Sequence, residues 1–141
     1  LDGARIGVAA QALGIAERAF QESVKYMKER VQFGKPIAAL QGLQWYISDM
    51  TVKIECARWM IFRAAWLKIS GQPYTKEAAI AKLNASETAT FVANLALQIH
   101  GGYGYMKDYP LERMYRDAKI TEIYEGTSEI HKVVIARAAL R

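Results

Sequence analysis

The stretch "RIGVAAQALGIAERAFQESVKYMKERV", Arg5 to Val31, decides how the rest of the chain is read. Ile6, Ala9, Leu13, Ala16, Phe20, Val24, Met27 and Val31 recur at steps of three and four. That spacing holds one apolar helical face over about eight turns. Gly7 and Gly14 lie inside the run, and each costs roughly 1 kcal/mol against Ala in a helix interior. Their presence predicts close approach of a neighbour or ligand. Lys25, Lys28 and Arg30 fall where cations complement a helix C-terminus, and Gly34 and Pro36 end the element.

The same period continues beyond it. Leu43, Ile47, Met50, Ile54, Ala57, Ile61, Ala64 and Leu67 predict a second helix from about Leu40 to Ser70, stopped by "SGQP". Thr75 is the expected N-cap of a third helix reaching about Ile99. Its face of Ala79, Leu83, Ser86, Thr90, Ala93 and Leu97 is built from small residues that admit a close neighbour. "HGGYGYMKDYP", His100 to Pro110, is aperiodic. "LERMYRDAK" then reads as a short helix, and a last helix follows from about Ser128 to Leu140. No strand pattern and no internal repeat is visible. The expected fold is all-α: an antiparallel up-and-down four-helix bundle with a short extra helix and functional loops at the bundle ends.

Composition agrees. The chain has 141 residues, enough for one core, with 52% hydrophobic residues and only three prolines. No 18-residue stretch is both free of charge and predominantly apolar throughout, which argues against a membrane span. The net charge of +5 is scattered rather than clustered, which argues against nucleic acid. Cys56 is the single cysteine, so no intrachain disulfide can form, and its place in an apolar pattern predicts buried packing. His100 and His131 are isolated, no residues have metal-ligand spacing, and the expectation is no metal. The chain begins with Leu1, not Met, and reads as a piece of something longer.

One carboxylate stands out. In "ITEIYEGTSEI", Ile120 to Ile130, Glu125 sits before Gly126 and Thr127, where a turn opens the last helix. Two readings stand side by side. The stretch is turn chemistry, with Thr127 or Ser128 as cap and Glu129 favouring the helix N-terminus. Or Glu125 is a base displayed on a bend. Arg30 and Phe33 divide likewise between helix capping with core packing and ligand contact. "GGYG" is no dinucleotide fingerprint, since no strand precedes it.

Taken together, "RIGVAAQALGIAERAF", "ERVQFGKPIAALQ", "AAIAKLNASETA" and "QIHGGYGYMKDYPLERMYRDAKITEIYEGTSEI" resemble the C-terminal domain of the acyl-CoA dehydrogenases, most of all the short-chain, butyryl-CoA-type branch. The resemblance covers almost the whole chain, in order. It implies a flavoprotein whose N-terminal helical domain and middle β domain lie outside these residues. It implies FAD as cofactor, an acyl-CoA substrate oxidised to trans-2-enoyl-CoA as in fatty acid β-oxidation, and an electron-transfer flavoprotein as acceptor. It implies Glu125 as the base that removes the α-proton, with desolvation in a water-poor cleft raising its pKa toward working pH. Branches that place the base on the first bundle helix would use the position of Ala4, which cannot act as one.

The resemblance further implies contacts. Arg30 and Phe33 would hold the adenosine diphosphate part of a neighbouring subunit's FAD, joined by Gln98, Gly101 and Gly102. Thr127 and Glu129 would lie near the flavin of the same subunit, Glu129 standing where some relatives carry glutamine. Asp2 and Arg5 would contact the acyl-CoA, Arg137 would lie near the CoA phosphates, and Tyr124 and Gly126 would line the cleft. Arg5 and Arg137 could equally be surface cations. Arg116 and Asp117 are expected to tie their loop down, and His131, replacing a commoner glutamine, to be peripheral. A homotetramer or homodimer follows, in a bacterial cytoplasm or a mitochondrial matrix, with the isolated domain inactive. An oxygen-using acyl-CoA oxidase and a non-catalytic assembly bundle are the competing readings.

Overall fold

A computed structural model describes residues 1–141. Three long helices, α1 (Asp2–Glu29), α2 (Gln41–Ile69) and α3 (Thr75–His100), are followed by α4 (Gly102–Tyr105), α5 (Leu111–Ile120) and α6 (Ser128–Ala139). The fold is all-α, as the periodicity predicts. Helix α3 is central and packs against α1, α2, α5 and α6. The reason lies in its composition. Ala78, Ala79, Ala81, Ala85, Ala89, Ala93 and Ala96 are all fully buried. Alanine is the best helix former and loses no side-chain entropy on burial, so this helix can be surrounded at short range.

The buried stripe of α1 runs through Val8, Ala9, Ala12, Ala16, Ala19, Ser23 and Met27. It is shifted by part of a turn from the face drawn by the larger residues. Ile6, Leu13 and Phe20 pack only partly buried along its edge. An alanine-lined α3 approaches the small residues of α1 and leaves the large ones to cover the seam. Nothing in this chain comes within 4 Å of a Cβ placed at Gly7 or Gly14, so the close approach expected there is absent within the chain.

Other expectations change too. Two short strands, β1 (Val31–Gln32) and β2 (Lys35–Pro36), form an antiparallel hairpin where none was foreseen. Two residues per strand are too few for a period of two to be visible. Its two-residue turn is Phe33–Gly34, with φ of 55° and 76°, the left-handed pair a tight hairpin needs. Thr75 does not cap α3. Tyr74 holds the cap position, and the Thr75 hydroxyl donates to the Asp2 carboxylate at 2.6 Å instead. Gly102–Tyr105, expected to be aperiodic loop, closes one α turn. There a Cβ on Gly104 would lie 2.7 Å from the Leu97 carbonyl, so only glycine fits.

Helix α2 carries two apolar stripes. Met50, Ile54, Ala57, Ile61, Ala64 and Leu67 face the core. Trp45, Val52, Trp59 and Trp66, spaced by sevens and joined by Phe62 and Ile69, are exposed. Cys56 is exposed as well, not buried as its apolar surroundings implied. A helix apolar on two sides gives no sequence clue as to which side its minor residues join. No helix is long and apolar enough to cross a membrane.

The packing makes a quantitative expectation. Ala85→Leu, at a fully buried position of α3, should lower unfolding stability by about 1–3 kcal/mol through overpacking. Ala10→Leu, on the exposed side of α1, should change it by less than about 0.5 kcal/mol. Urea unfolding of both variants checks this, and equal effects would contradict the central placement of α3.

Candidate active site

The turn between α5 and α6 is locally strained. Glu125 has φ 56° and Gly126 φ 98°. A left-handed conformation costs a residue with a Cβ roughly 1–2 kcal/mol. Several bonds hold the turn. The Ser128 N–H donates to the Glu122 carbonyl at 3.1 Å. The Thr127 hydroxyl caps α6 by accepting from the Ile130 N–H at 3.4 Å. The Tyr124 hydroxyl donates to the Gln11 side chain on α1. Glu122 accepts from Lys119 at 2.8 Å and from Thr90 on α3. Burial works against ionisation of Glu122, but those two hydrogen bonds outweigh it and hold its carboxyl below the usual range. The turn is thus pinned to α1 and α3, while the Glu125 side chain is exposed and takes part in no ion pair.

Beneath the turn lies a buried cationic group. Lys82 is fully buried, and its Nζ donates to the Gly126 carbonyl at 2.7 Å. His131, expected to be peripheral, is fully buried too. Its ring is close enough that a Cβ on Gly126 would lie 3.0 Å from Nε2. Gly126 is therefore required twice, by its φ and by the imidazole packed against it. Neither ring nitrogen of His131 completes a hydrogen bond, although the Glu125 and Gly126 carbonyls are near. Arg5 is 6% exposed, so it is not a surface cation. It donates to Asp2 at 3.0 Å. Burial, and then the Arg5 charge, push the Lys82 ammonium below its ordinary pKa, against Glu122 and Glu125. Burial, then Lys82 and Arg5, push the His131 imidazole down.

The second set of expected residues gathers at the other end of α1. Arg30, Phe33, Gly101 and Gly102 line one open cavity of about 610 Å³, with Ile37, Leu40 and Tyr103 among the other walls. The Arg30 guanidinium lies 5.4 Å from the centre of the Tyr103 ring. Phe33 stands 86% exposed at the hairpin tip, so it neither caps a helix nor packs a core. Below the cavity His100 stacks on Tyr26 with ring centres 4.2 Å apart, and its Nδ1 bonds the Ala96 carbonyl at 2.7 Å. Gln98 is exposed and does not line this cavity. A lone guanidinium beside aromatic and aliphatic walls fits a group with an anionic diphosphate and a flat ring, which is the chemistry of one end of FAD. Tyr124 beside Glu125 reaches Gln11, and Tyr26 and Arg30 line the cavity, so the two sites lie roughly 20–30 Å apart along α1 at 1.5 Å per residue.

The remaining residues scatter. Asp2 is tied into the fold by Arg5 and Thr75. Arg137 lines a separate cavity of about 570 Å³ with Thr75, Lys76 and Arg141. Glu129 is exposed in the first turn of α6. Its own backbone N–H, then the Thr127 hydroxyl, hold its carboxyl below the usual range. Arg116 only approaches Glu112 at 3.6 Å on the surface, and Asp117 is exposed and joins no ion pair, so neither ties the loop down as expected.

The buried imidazoles predict a pH dependence. Burial lowers His131, and it lowers His100 against the opposing Ala96 bond. Below about pH 6.5, the ordinary histidine value, the unfolded chain takes up protons that the fold resists. Stability should hold between about pH 8 and 7 and fall as pH drops from about 6.5 to 5. His131→Gln should flatten part of that fall in melting temperature. An unchanged wild-type melting temperature across this range would contradict neutral burial.

Known proteins place this geometry in a family. The model of the acyl-CoA dehydrogenase C-terminal domain matches residues 1–140. The chain is 73% identical over 141 residues to the acryloyl-CoA reductase (NADH) of Anaerotignum propionicum, covering all of this chain and 36% of that protein. The solved butyryl-CoA dehydrogenase of Megasphaera elsdenii superposes with a TM-score of 0.98 at 54% identity, covering 99% of this chain and 37% of that one. A chain in a structure described as the electron transferring flavoprotein of Acidaminococcus fermentans gives a TM-score of 0.98 at 56% identity, over 99% of this chain and 37% of that one. The chain thus spans a little over a third of the length of the relatives it matches. It belongs to the acyl-CoA dehydrogenase family and corresponds to that family's C-terminal domain.

Proposed function

We propose that this chain supplies the α-proton base and part of the flavin site of an FAD-dependent acyl-CoA dehydrogenase. One observation carries the reading. Among residues other than glycine, only Phe33 and Glu125 have positive φ. They are also two of the residues that the family resemblance assigns to function. Strain of this kind persists where surrounding structure over-determines it and concentrates at working sites.

Glu125 takes the proton from the carbon α to the thioester of an acyl-CoA. The electron pair of that C–H bond becomes the second bond of a trans-2-enoyl-CoA as hydride leaves the β carbon. Bound FAD supplies the acceptor for that hydride. Tyr124 and Gly126 line the substrate side of the turn, and Thr127 meets the flavin of the same subunit. Asp2 and Arg5 steady the start of α1 beside the substrate, and Arg137 faces the CoA phosphates. Glu125 is exposed here, so the water-excluding wall of the cleft belongs to the N-terminal and middle domains. Arg30, Phe33, Gly101 and Gly102 would hold the diphosphate-adenosine end of a neighbouring subunit's FAD, as the family resemblance implies and as their shared cavity supports.

A second reading concerns direction. The relative at 73% identity is named for reducing acryloyl-CoA. Run in reverse, the same carboxyl, protonated, delivers a proton to the α carbon of a short enoyl-CoA. An electron-transfer flavoprotein is the proposed redox partner, supported by the neighbour described under that name. The compartment proposed is a bacterial cytoplasm or mitochondrial matrix.

Anaerobic addition of butyryl-CoA to the complete holoenzyme should bleach the oxidised flavin absorbance. Glu125→Gln should slow bleaching by at least about 10²–10⁴-fold, the range of general base catalysis, with flavin content unchanged. Retained bleaching in that variant would remove Glu125 from the mechanism.

The exposed stripe of α2 is proposed as the contact between copies in a homodimer or homotetramer, since large apolar faces are covered in assemblies. Replacing Trp59 and Trp66 together by glutamate should at least halve the mass measured by light scattering. An unchanged mass would place the interface elsewhere.

A further inference from the structure

The lysine beneath the turn is not used by the chemistry above. Lys82 occupies the buried stripe of α3, in line with Ala78, Ala85 and Ala89, and none of its surface is exposed. Burying an ammonium there costs several kcal/mol, and an apolar residue of similar volume packs as well or better. The group that justifies the lysine is therefore its N–H. That N–H has a single hydrogen-bonded acceptor in the chain, the Gly126 carbonyl at 2.7 Å. No side-chain carboxylate accepts from it. Arg5 on α1 repels it, and the carboxylates of Glu122 and Glu125 attract it from the turn.

We infer that Lys82 is the positioning residue of the Glu125 base. Its N–H fixes the carbonyl one residue after Glu125, and so fixes the direction in which the carboxylate leaves the turn. The inference rests on the reading of Glu125 as the base. The geometry supports a fixing role over a mere core filler. Glu125 and Gly126 are both left-handed, so the turn relaxes unless its peptide planes are held. The His131 ring also packs against Gly126, so two buried side chains, Lys82 and His131, meet this one residue of the turn. Glu125 itself has no ion pair to steer it. The clamp acts through the backbone and leaves the carboxylate free for substrate.

Positioning and structural roles separate in the kinetics. In the complete holoenzyme, Lys82→Met keeps the volume and removes the donor. The rate of flavin bleaching per bound flavin at saturating butyryl-CoA should fall about 10- to 100-fold, the loss that a misplacement of about 1 Å produces. KM should change by less than about threefold, because binding contacts are untouched. The deuterium effect of an α-labelled substrate should rise, since the step that removes the proton becomes more fully rate-limiting. Lys82→Gln, a polar replacement too short to reach the carbonyl, should show the same split and serves if the methionine variant fails to fold. Either variant, loaded with flavin and running within about twofold of wild type, overturns the inference. So does a loss that tracks flavin content alone. Glu125→Gln in the same assay separates the two claims. Bleaching retained there removes the base reading itself. Bleaching abolished there, beside unimpaired Lys82 variants, removes only the lysine's role.

Discussion

The close packing of α3 is the constraint on which the rest of the fold depends. Each of its buried alanines contributes little apolar area, so the helix stabilises the bundle by proximity rather than by bulk. Small side chains bring the backbones of α1, α2, α5 and α6 near one axis. Larger residues such as Ile6, Leu13, Phe20 and Phe91 close the edges. At that separation a lysine on α3 is within reach of the backbone of the turn before α6. The same stripe that excludes water from the core therefore carries a donor to the site.

The two strained backbone positions gain meaning from this rigidity. Phe33 and Glu125 lie near opposite ends of α1, one at a hairpin tip beside the Arg30 cavity and the other on the turn above Lys82. Each costs on the order of 1–3 kcal/mol, and a loosely packed bundle would let both relax. Here the cost is offset by packing across α1 and α3. The aromatic group of Tyr26, His100, Tyr103 and Tyr109 does for the first end what Lys82, His131 and Tyr124 do for the second. The two ends lie roughly 20–30 Å apart along α1, at 1.5 Å per residue between Gln11 and Tyr26 or Arg30.

Much of this was legible in the sequence because helices advertise themselves by period. The limits of α2, α3, α5 and α6 fall within a residue or two of those the apolar spacing predicts. Arg30, Phe33, Gly101 and Gly102, far apart in the chain, do converge on one cavity. What stayed hidden has common causes. A period locates a stripe but not its occupant's environment. So Cys56, on a helix with two apolar sides, lies on the exposed one against expectation, and nothing in the residue type of Lys82 marks it, although the steps 78, 82, 85 and 89 place it among buried residues. His131 is expected to be peripheral because it stands where a glutamine is commoner, yet its imidazole is fully buried against Gly126 of the left-handed turn. Thr75 was read as a cap from residue type alone, while its hydroxyl serves Asp2, 73 positions away. Such long-range partners leave no local signal.

In the proposed mechanism the strained turn aims Glu125 at the carbon next to a thioester. The most direct test is the crystal structure of the complete protein with FAD and a non-reacting acyl-CoA analogue bound. A Glu125 carboxylate oxygen should lie about 3–3.5 Å from the α carbon, the distance of a near-attack geometry, with the Lys82 ammonium still on the Gly126 carbonyl. A carboxylate turned to solvent, with another residue's base over that carbon, would contradict it.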